Sequence, residues 1–328
     1  MSTTASDVRV ELLEPEEEGP ETAAEIAARS PLELFWRRLR SDRVALVALG
    51  FIVLLVLVAV FAPLVIKIFG APPPAKQNPN ALDEFGTPTG PSSAHIMGVD
   101  QLGRDVFSRV VYGARVSLQV AIISTTVAVT LGVIAGMVAG YFGGWTDSVL
   151  ARFMDVMLAF PSLLLGIGLA SACSLGNGCL GGLIHPGLTV VVVVIALATF
   201  PYIARIIRGQ VLSLREKEFV EASRSLGASD RRIIFRQILP NLVAPIIVYS
   251  TLIIPQNILF EAALSFLGVG VQPPTASWGE MISDATPIFA DAWWYMLFPG
   301  LALVFTVLAF NFVGDAMQDA LNPRKRRS

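Results

Sequence analysis

The two cysteines of the chain, Cys173 and Cys179, combine a reactive side-chain type with a short spacing. Only Ser-Leu-Gly-Asn-Gly separates them, which permits a disulfide bond, and two free thiols are the alternative. His95 and His185 each stand alone, and neither completes a set of Cys and His ligands with metal-binding spacing. We therefore expect a disulfide candidate and no metal site.

The residue patterns of catalysis are missing from the sequence. No Gly-x-x-x-x-Gly-Lys-[Ser/Thr] phosphate loop occurs, so we expect no ATP site within this chain. Nor does any Ser/His/Asp arrangement or paired-carboxylate helix indicate a membrane hydrolase. The chain is predicted to be no enzyme and to need no cofactor, so an energy-driven role would require a partner.

Three polar residues, Gln256, Asn257 and Glu261, lie within an otherwise apolar stretch. Polar groups inside a membrane must face protein or water. Gln256 and Asn257 lie deep enough to line a translocation pathway, and we expect Glu261 near the outer mouth, where its charge can stay hydrated. The alternative is that these groups tie helices together by hydrogen bonds.

The composition is that of an integral membrane protein. Of 328 residues, 54% are hydrophobic and 15% are charged, whereas soluble domains carry about 25% charged residues. The basic clusters all flank apolar segments, so nothing indicates nucleic-acid binding. We therefore expect an all-α membrane fold.

Six apolar segments approach or exceed the roughly 20 residues that a membrane-spanning helix needs. They are Val44–Ile66, Val116–Gly140, Val156–Ala172, Leu188–Ala204, Leu242–Leu264 and Trp293–Phe312. Arginines precede the first segment, eight basic residues lie in 205–241, and 265–292 contains neither Lys nor Arg. The positive-inside rule then predicts that both termini and residues 205–241 are cytoplasmic.

Composition also divides the chain into parts. The acidic residues 1–29 are predicted to be a disordered cytoplasmic tail, without a cleavable signal peptide. Residues 30–66 are predicted to hold a helix at the membrane surface and the first span, a plain extension of that span being the alternative. The predicted parts that follow are an extracytoplasmic loop (67–115), the membrane core (116–315) and a basic cytoplasmic tail (316–328).

Three glycines, Gly132, Gly136 and Gly140, recur at every fourth position of the second span. This spacing lets another helix approach closely. We expect a packing face within the chain, and a contact with another subunit is the alternative.

A charged insert, residues 219–241, separates the fourth and fifth apolar segments. Gly227 can end a short helix there, and Ser229 or Asp230 can cap the next one. Ile233, Ile234 and Ile238 would then lie on one side of that second helix and the arginines on another. An ordinary solvated cytoplasmic loop and a docking surface for another protein are the two interpretations.

The pattern Glu221-Ala222, Gly227 and Leu239-Pro240 makes the insert similar to the cytoplasmic EAA loop of ABC importer permeases, on which a separate ATPase docks. Gln237 departs from the Ile that this family often has two positions before the Leu. Three further segments resemble the C-type permease subunit of dipeptide, oligopeptide and nickel importers. They are His95–Asp105, Phe260–Gly279 and Trp293–Arg324.

The resemblance implies an all-α protein with six transmembrane helices, the last five forming a type I ABC importer permease core (MetI-like). It implies passive translocation of a peptide-like solute across the cytoplasmic membrane, with a second permease subunit, two ATP-binding subunits and an extracytoplasmic solute-binding protein as partners. The implied ATPase-docking residues are a core of Glu221, Ala222 and Gly227 and a charged periphery of Arg224, Arg231 and Arg232.

Other functions are compatible with a six-span chain. The same importer class could carry nickel or another non-peptide solute. An ion-coupled secondary transporter would need inverted repeats and ion-coordinating groups near the membrane centre, and no clear repeat is visible. A membrane scaffold would produce no flux at all.

Overall fold

Long apolar helices dominate the part of the chain that the structure describes. The structure, a computed structural model, describes residues 42–174 and 187–321. The helices are α1 (Arg43–Val60), α2 (Ala62–Ile68), α3 (Val106–Phe142), α4 (Gly144–Ala159), α5 (Ser162–Ser174), α6 (Leu188–Arg215), α7 (Glu218–Ser225), α8 (Asp230–Ile233), α9 (Leu239–Phe266), α10 (Trp278–Ala285) and α11 (Trp293–Leu321). A π-helical turn, Ile234–Ile238, joins α8 to α9.

The predicted all-α membrane architecture is confirmed. Five helical stretches among the described residues are long and apolar enough to span a membrane, namely α1, α3, α6, Asp230–Phe266 and α11. A sixth span results if the bent pair of α4 and α5 is counted as one.

Two predicted boundaries differ from the structure because of particular residues. The first span is interrupted at Phe61, and Pro63 is the second residue of the next helix, α2. A proline lacks an N–H group and its ring displaces the preceding turn, so it fits the first turn of a helix and not its interior. At the other boundary, α3 begins at Val106, ten residues before the predicted start, with Asp105 as its N-cap. The predicted loop 67–115 therefore ends at Asp105.

The third predicted span, Val156–Ala172, is wrong as a continuous helix. The α4 and α5 helices meet at an angle of 90°. Phe160 adopts an extended conformation (φ −80°, ψ 136°) directly before Pro161, which is the conformation that a following proline favours. A single proline therefore turns the chain where hydropathy alone predicts a straight helix.

The glycine face of α3 packs against α6, as expected for a contact within the chain. A Cβ atom on Gly136 would lie 2.6 Å from the carbonyl oxygen of Ala204, and one on Gly140 would lie 2.8 Å from Cβ of Val211. These two helices are therefore in backbone-to-side-chain contact along several turns.

A compact segment before α3, residues 70–105, is called the cap below. The indole Nε1 of Trp294, at the start of α11, donates a hydrogen bond to the carbonyl of Val99 (3.1 Å). Arg104 pairs with Asp100 (2.6 Å), and the fully buried Arg109 of α3 donates to Glu280 of α10 (2.8 Å). The cap, α10 and α11 are thus joined by buried polar contacts.

Several predictions fall on residues outside the described ranges. These are the tail 1–29, the surface helix before Asp42, Cys179, His185 and residues 322–328. Of the predicted basic tail, residues 316–321 are the last residues of α11.

Candidate coupling site and polar membrane residues

The charged insert folds as two short helices around a glycine turn. The first, α7, ends at Ser225, and Gly227 follows with a φ of +78°, a conformation that glycine adopts without strain. Ser229 is the N-cap position of α8. The chain then continues through the π turn into α9, so the second half of the insert and the fifth span form one helical stretch, Asp230–Phe266.

An apolar side of the insert is buried against the membrane helices. Val220, Ile233 and Ile238 are each at most 1% exposed and join a core cluster that includes Ile207 and Val211 of α6. The predicted division of α8 and the π turn into an apolar side and a basic side is confirmed, since Arg231, Arg232 and Arg236 are exposed. The insert is therefore attached to the bundle by its own hydrophobic residues.

Hydrogen bonds and ion pairs connect the ends of the helices that surround the insert. The Tyr141 hydroxyl at the end of α3 donates to Asp230 Oδ1 (2.6 Å). Arg215 Nη1, at the end of α6, donates to the carbonyl of Gly140 (3.0 Å). Arg208 of α6 pairs with Asp147 of α4 through two nitrogens, with 2.7 Å between Nη2 and Oδ2. These contacts hold the ends of α3, α4 and α6 and the insert as one unit.

The opposite side of the insert is exposed. It carries every residue that the sequence assigns to docking: Glu221, Ala222, Arg224, Gly227, Arg231 and Arg232. Two large apolar side chains, Leu226 (88% exposed) and Phe235 (56%), stand among them. Arg231, Arg232, Phe235 and Arg236 line an open concavity with Ser229. Mixed apolar and arginine-rich surfaces of this kind are typical of protein contacts.

Asn257 lies in the interior of the bundle as a hydrogen-bonding link. Its Nδ2 group donates to Thr125 of α3 (2.8 Å), and its Oδ1 atom accepts from Thr199 of α6 (3.1 Å). With 2% exposure, it fits the helix-tying interpretation. Gln256, the preceding residue on α9, is exposed instead.

The expectation that Glu261 lies near the outer mouth, where its charge stays hydrated, is wrong. Its side chain is fully buried, and its two oxygens accept hydrogen bonds from Ser117 of α3 (2.7 Å) and Ser265 of α9 (2.8 Å). Ser265 also accepts from the backbone N–H of Val271 (3.0 Å). The carboxylate therefore connects α9 to α3 and to the segment that leads into α10.

Known proteins resemble this chain over almost its whole length. The model of the binding-protein-dependent transport system inner membrane component matches residues 129–327, and that of the N-terminal TM domain of oligopeptide transport permease C matches residues 30–86. The dipeptide transport system permease protein DppC of Alkalihalophilus pseudofirmus is 40% identical over 316 residues, 96% of this chain and 97% of the relative. The chain belongs to the family of binding-protein-dependent transport permeases. The glutathione transport system permease protein GsiD of Escherichia coli O6:K15:H31 is 41% identical over 296 residues, 90% of this chain and 91% of the relative.

A solved structure has the same fold as this permease. The permease superposes on a chain of the inward-facing MetNI methionine ABC transporter with a TM-score of 0.53 and 19% sequence identity. The match covers 65% of the permease and 96% of that chain. At this identity the likeness shows the fold, a type I permease core, and the predicted fold class is confirmed.

The permease is a transport subunit. The predictions for its cysteines and for His95 have different outcomes. Cys173, at the end of α5, is disulfide-bonded. Its predicted partner Cys179 lies outside the described residues, and the pairing stays a prediction. His95 donates to or accepts from Asp105 (2.9 Å), next to the N-terminus of α3. Neither of these features touches the insert.

Sequence reasoning missed two features of the permease. Leu226 and Phe235 are prominent on the exposed side of the insert. For Leu226 the available signal was an apolar residue beside the turn glycine in an otherwise charged segment. The buried pair of Arg109 and Glu280 was also missed, because 171 residues separate its members along the chain.

Proposed function

We propose that this permease is a membrane subunit of an ATP-driven importer that carries di- or oligopeptides into the cell. Relatives named for dipeptide and glutathione transport support a peptide as the solute. A second permease subunit, two ATP-binding subunits and an extracytoplasmic solute-binding protein complete the importer. The observation that carries the proposal is the insert, which is exposed on one side and firmly attached on the other.

The exposed side of the insert has the chemistry of a protein contact. Glu221, Ala222 and Gly227 form the docking core, and small residues at the last two positions allow close approach of a partner. Leu226 supplies an apolar anchor beside them, and exposed apolar anchors contribute most of the energy of many interfaces. Arg224, Arg231 and Arg232 surround this core with positive charge and would pair with acidic groups of the ATP-binding subunit.

The attached side of the insert gives a route for movement. Because Asp230–Phe266 is one helical stretch, a displacement of the insert by the ATP-binding subunit also displaces α9. Asn257 and Glu261 bond α9 to α3 and α6, so the bundle would follow as a rigid body. Such coupled movement between two packed states is the general form of alternating access.

This assignment fixes the orientation of the permease in the cytoplasmic membrane. The insert and both termini face the cytoplasm, whereas the cap, α10 and the Cys173 end of α5 face outwards. The eight basic residues of 205–241 support this orientation through the positive-inside rule. An outward Cys173 is also compatible with a disulfide, since such bonds persist in oxidising compartments.

Replacing Gly227 by valine tests the docking assignment. A β-branched residue at a φ of +78° is strained, by about 1–2 kcal/mol or more, so the turn between α7 and α8 should distort. A Cβ atom at this position meets nothing within 4 Å, so the bundle itself should not be disturbed. We expect peptide uptake and co-purification of the ATP-binding subunits to be lost, with normal insertion of the permease into the membrane.

Gly209→Val is the matched control for this experiment. Gly209 lies within α6, is exposed, and also has no atom within 4 Å of a built Cβ, but its φ is not positive. We expect this variant to keep uptake. Normal uptake by Gly227→Val would contradict the docking assignment.

A further inference from the structure

Two turns of the cap share one local design, and each exposes an apolar side chain. Asp83 Oδ1 accepts from the backbone N–H groups of Phe85 (2.9 Å) and Thr87 (2.7 Å). Asp100 Oδ1 accepts from those of Leu102 (2.9 Å) and Arg104 (2.9 Å). In both turns the carboxylate fixes the backbone two and four residues later, and the residue two positions later is apolar.

Phe85 is the most exposed large hydrophobic side chain of the described residues, at 92%. Its turn is closed further by hydrogen bonds from Gly86 N to the Asp83 carbonyl (3.0 Å) and from Asp83 N to the Thr87 carbonyl (2.9 Å). A ring in full contact with water contributes nothing to the core of the permease. Because the backbone below it is already ordered, the permease would lose little conformational entropy when a partner covers this ring.

The turn that carries Phe85 is connected to the membrane bundle through the body of the cap. Thr89 Oγ1 donates to the Ala81 carbonyl (2.7 Å), and Val99 N donates to the Thr89 carbonyl (3.1 Å). Val99 in turn accepts from Trp294 at the start of α11. A protein bound at the tip would therefore be held in a defined position relative to the spans.

The charges around the tip favour a protein partner over a lipid surface. Asp83 and Glu84 are both exposed beside Phe85. Anionic lipid surfaces attract basic segments and repel acidic ones. The complementary surface is an apolar pocket with a basic rim, which is a feature of a folded protein.

We infer that the cap tip, residues 83–87, is a docking site for the extracytoplasmic solute-binding protein, with Phe85 as the apolar anchor and Asp83 and Glu84 as its acidic border. This inference rests on the proposed function, because it requires the cap to face outwards. It agrees with the family to which the permease belongs, whose members serve binding-protein-dependent transport. The exposed Leu102 of the second turn is a candidate for an additional contact.

The test uses the complete importer in lipid nanodiscs and measures the ATP hydrolysis that purified, solute-loaded binding protein stimulates. Phe85→Ala should raise the half-saturating concentration of the binding protein by about tenfold, as loss of an interface anchor does. Phe85→Tyr should stay within about twofold of the unmodified importer, because the ring is retained. Phe289→Ala is the matched control, since Phe289 is also exposed (57%) but lies between α10 and α11.

Unstimulated ATP hydrolysis and the subunit composition should be unchanged in all three variants. A half-saturating concentration for Phe85→Ala equal to that of the unmodified importer would overturn the inference while leaving the proposed function intact. Equal weakening by Phe289→Ala, or an effect of Phe85→Ala that appears without binding protein and varies with lipid charge, would also overturn it. If the unmodified importer shows no response to any binding protein, the proposed function and the inference fall together.

Discussion

At the scale of single residues, buried charge is concentrated where α10 meets α3 and the cap. Burial raises the pKa of the Glu280 carboxyl to about 7, against the opposing attraction of Arg109. Asp284 adds to the rise through repulsion, and Arg104 lowers it. For the Arg104 guanidinium, burial lowers the pKa, but Asp100, Tyr295 and Glu280 together outweigh burial, and the net pKa is raised. The region where α10 meets α3 and the cap therefore contains a carboxyl group with a pKa near neutral pH.

This pKa predicts how the stability of the permease depends on pH. Glu280 has a pKa of about 7 in the folded protein, above its usual value of 4.5, so the folded state holds the proton more tightly than the unfolded state. This difference stabilises the folded state fully below pH 4.5, and the stabilisation is lost as pH rises through about 7. Glu280→Gln imitates the protonated form. We expect the unfolding midpoint of the unmodified permease in detergent to fall by about 3 °C more than that of Glu280→Gln between pH 5 and pH 8. Identical pH profiles of the two proteins would show that Glu280 does not titrate in this range.

Which residues are polar inside the membrane was visible in the sequence, but their surroundings were not. Asn257 and Glu261 were identified by their place in an apolar segment. That Glu261 is buried rather than hydrated depends on Ser117, which is 144 residues away along the chain. Hydropathy carries no information on such pairs. The orientation of the insert's apolar and basic sides was predictable, because it follows from helical periodicity within a few residues.

At the scale of helices, the contact of α3 with α6 depends on glycine at the positions where the helices are closest. The spacing of Gly132, Gly136 and Gly140 indicated a packing face from sequence alone, whereas its partner helix became known only from the structure. The 90° angle between α4 and α5 was not predictable, because a proline in a membrane span more often kinks a helix than turns the chain.

Gly136→Ala tests this packing. Its new Cβ atom would lie 2.6 Å from the Ala204 carbonyl oxygen and 2.8 Å from Ile207 Cβ, so α3 and α6 would have to separate. Overpacking of this kind costs about 1–3 kcal/mol, and we expect a lower unfolding midpoint in detergent. Gly168→Ala is the control, since Gly168 of α5 has no neighbouring atom within 4 Å. Equal midpoints for both variants would contradict the close approach of the two helices.

At the scale of the whole molecule, the insert and the cap are exposed surfaces at opposite ends of a helical bundle. Buried hydrogen bonds join the helices of this bundle. In the proposed orientation, the insert presents Leu226 and the arginines to the cytoplasm, and the cap presents Phe85 to the outside. Asn257 and Glu261 lie in α9, which runs between these ends, and bond it to α3 and α6. In the proposed function, the permease transmits movement between an ATP-binding partner and the membrane helices.

The most direct test is photo-crosslinking from the insert in intact cells. Leu226 is replaced by p-benzoylphenylalanine, since its 88% exposure leaves room for the larger ring. The account predicts a crosslink to an ATP-binding subunit, whose yield changes when ATP hydrolysis is blocked. A crosslink only to extracytoplasmic protein, or no crosslink to any ATP-binding subunit, would contradict the central claim that this insert receives the work of ATP hydrolysis.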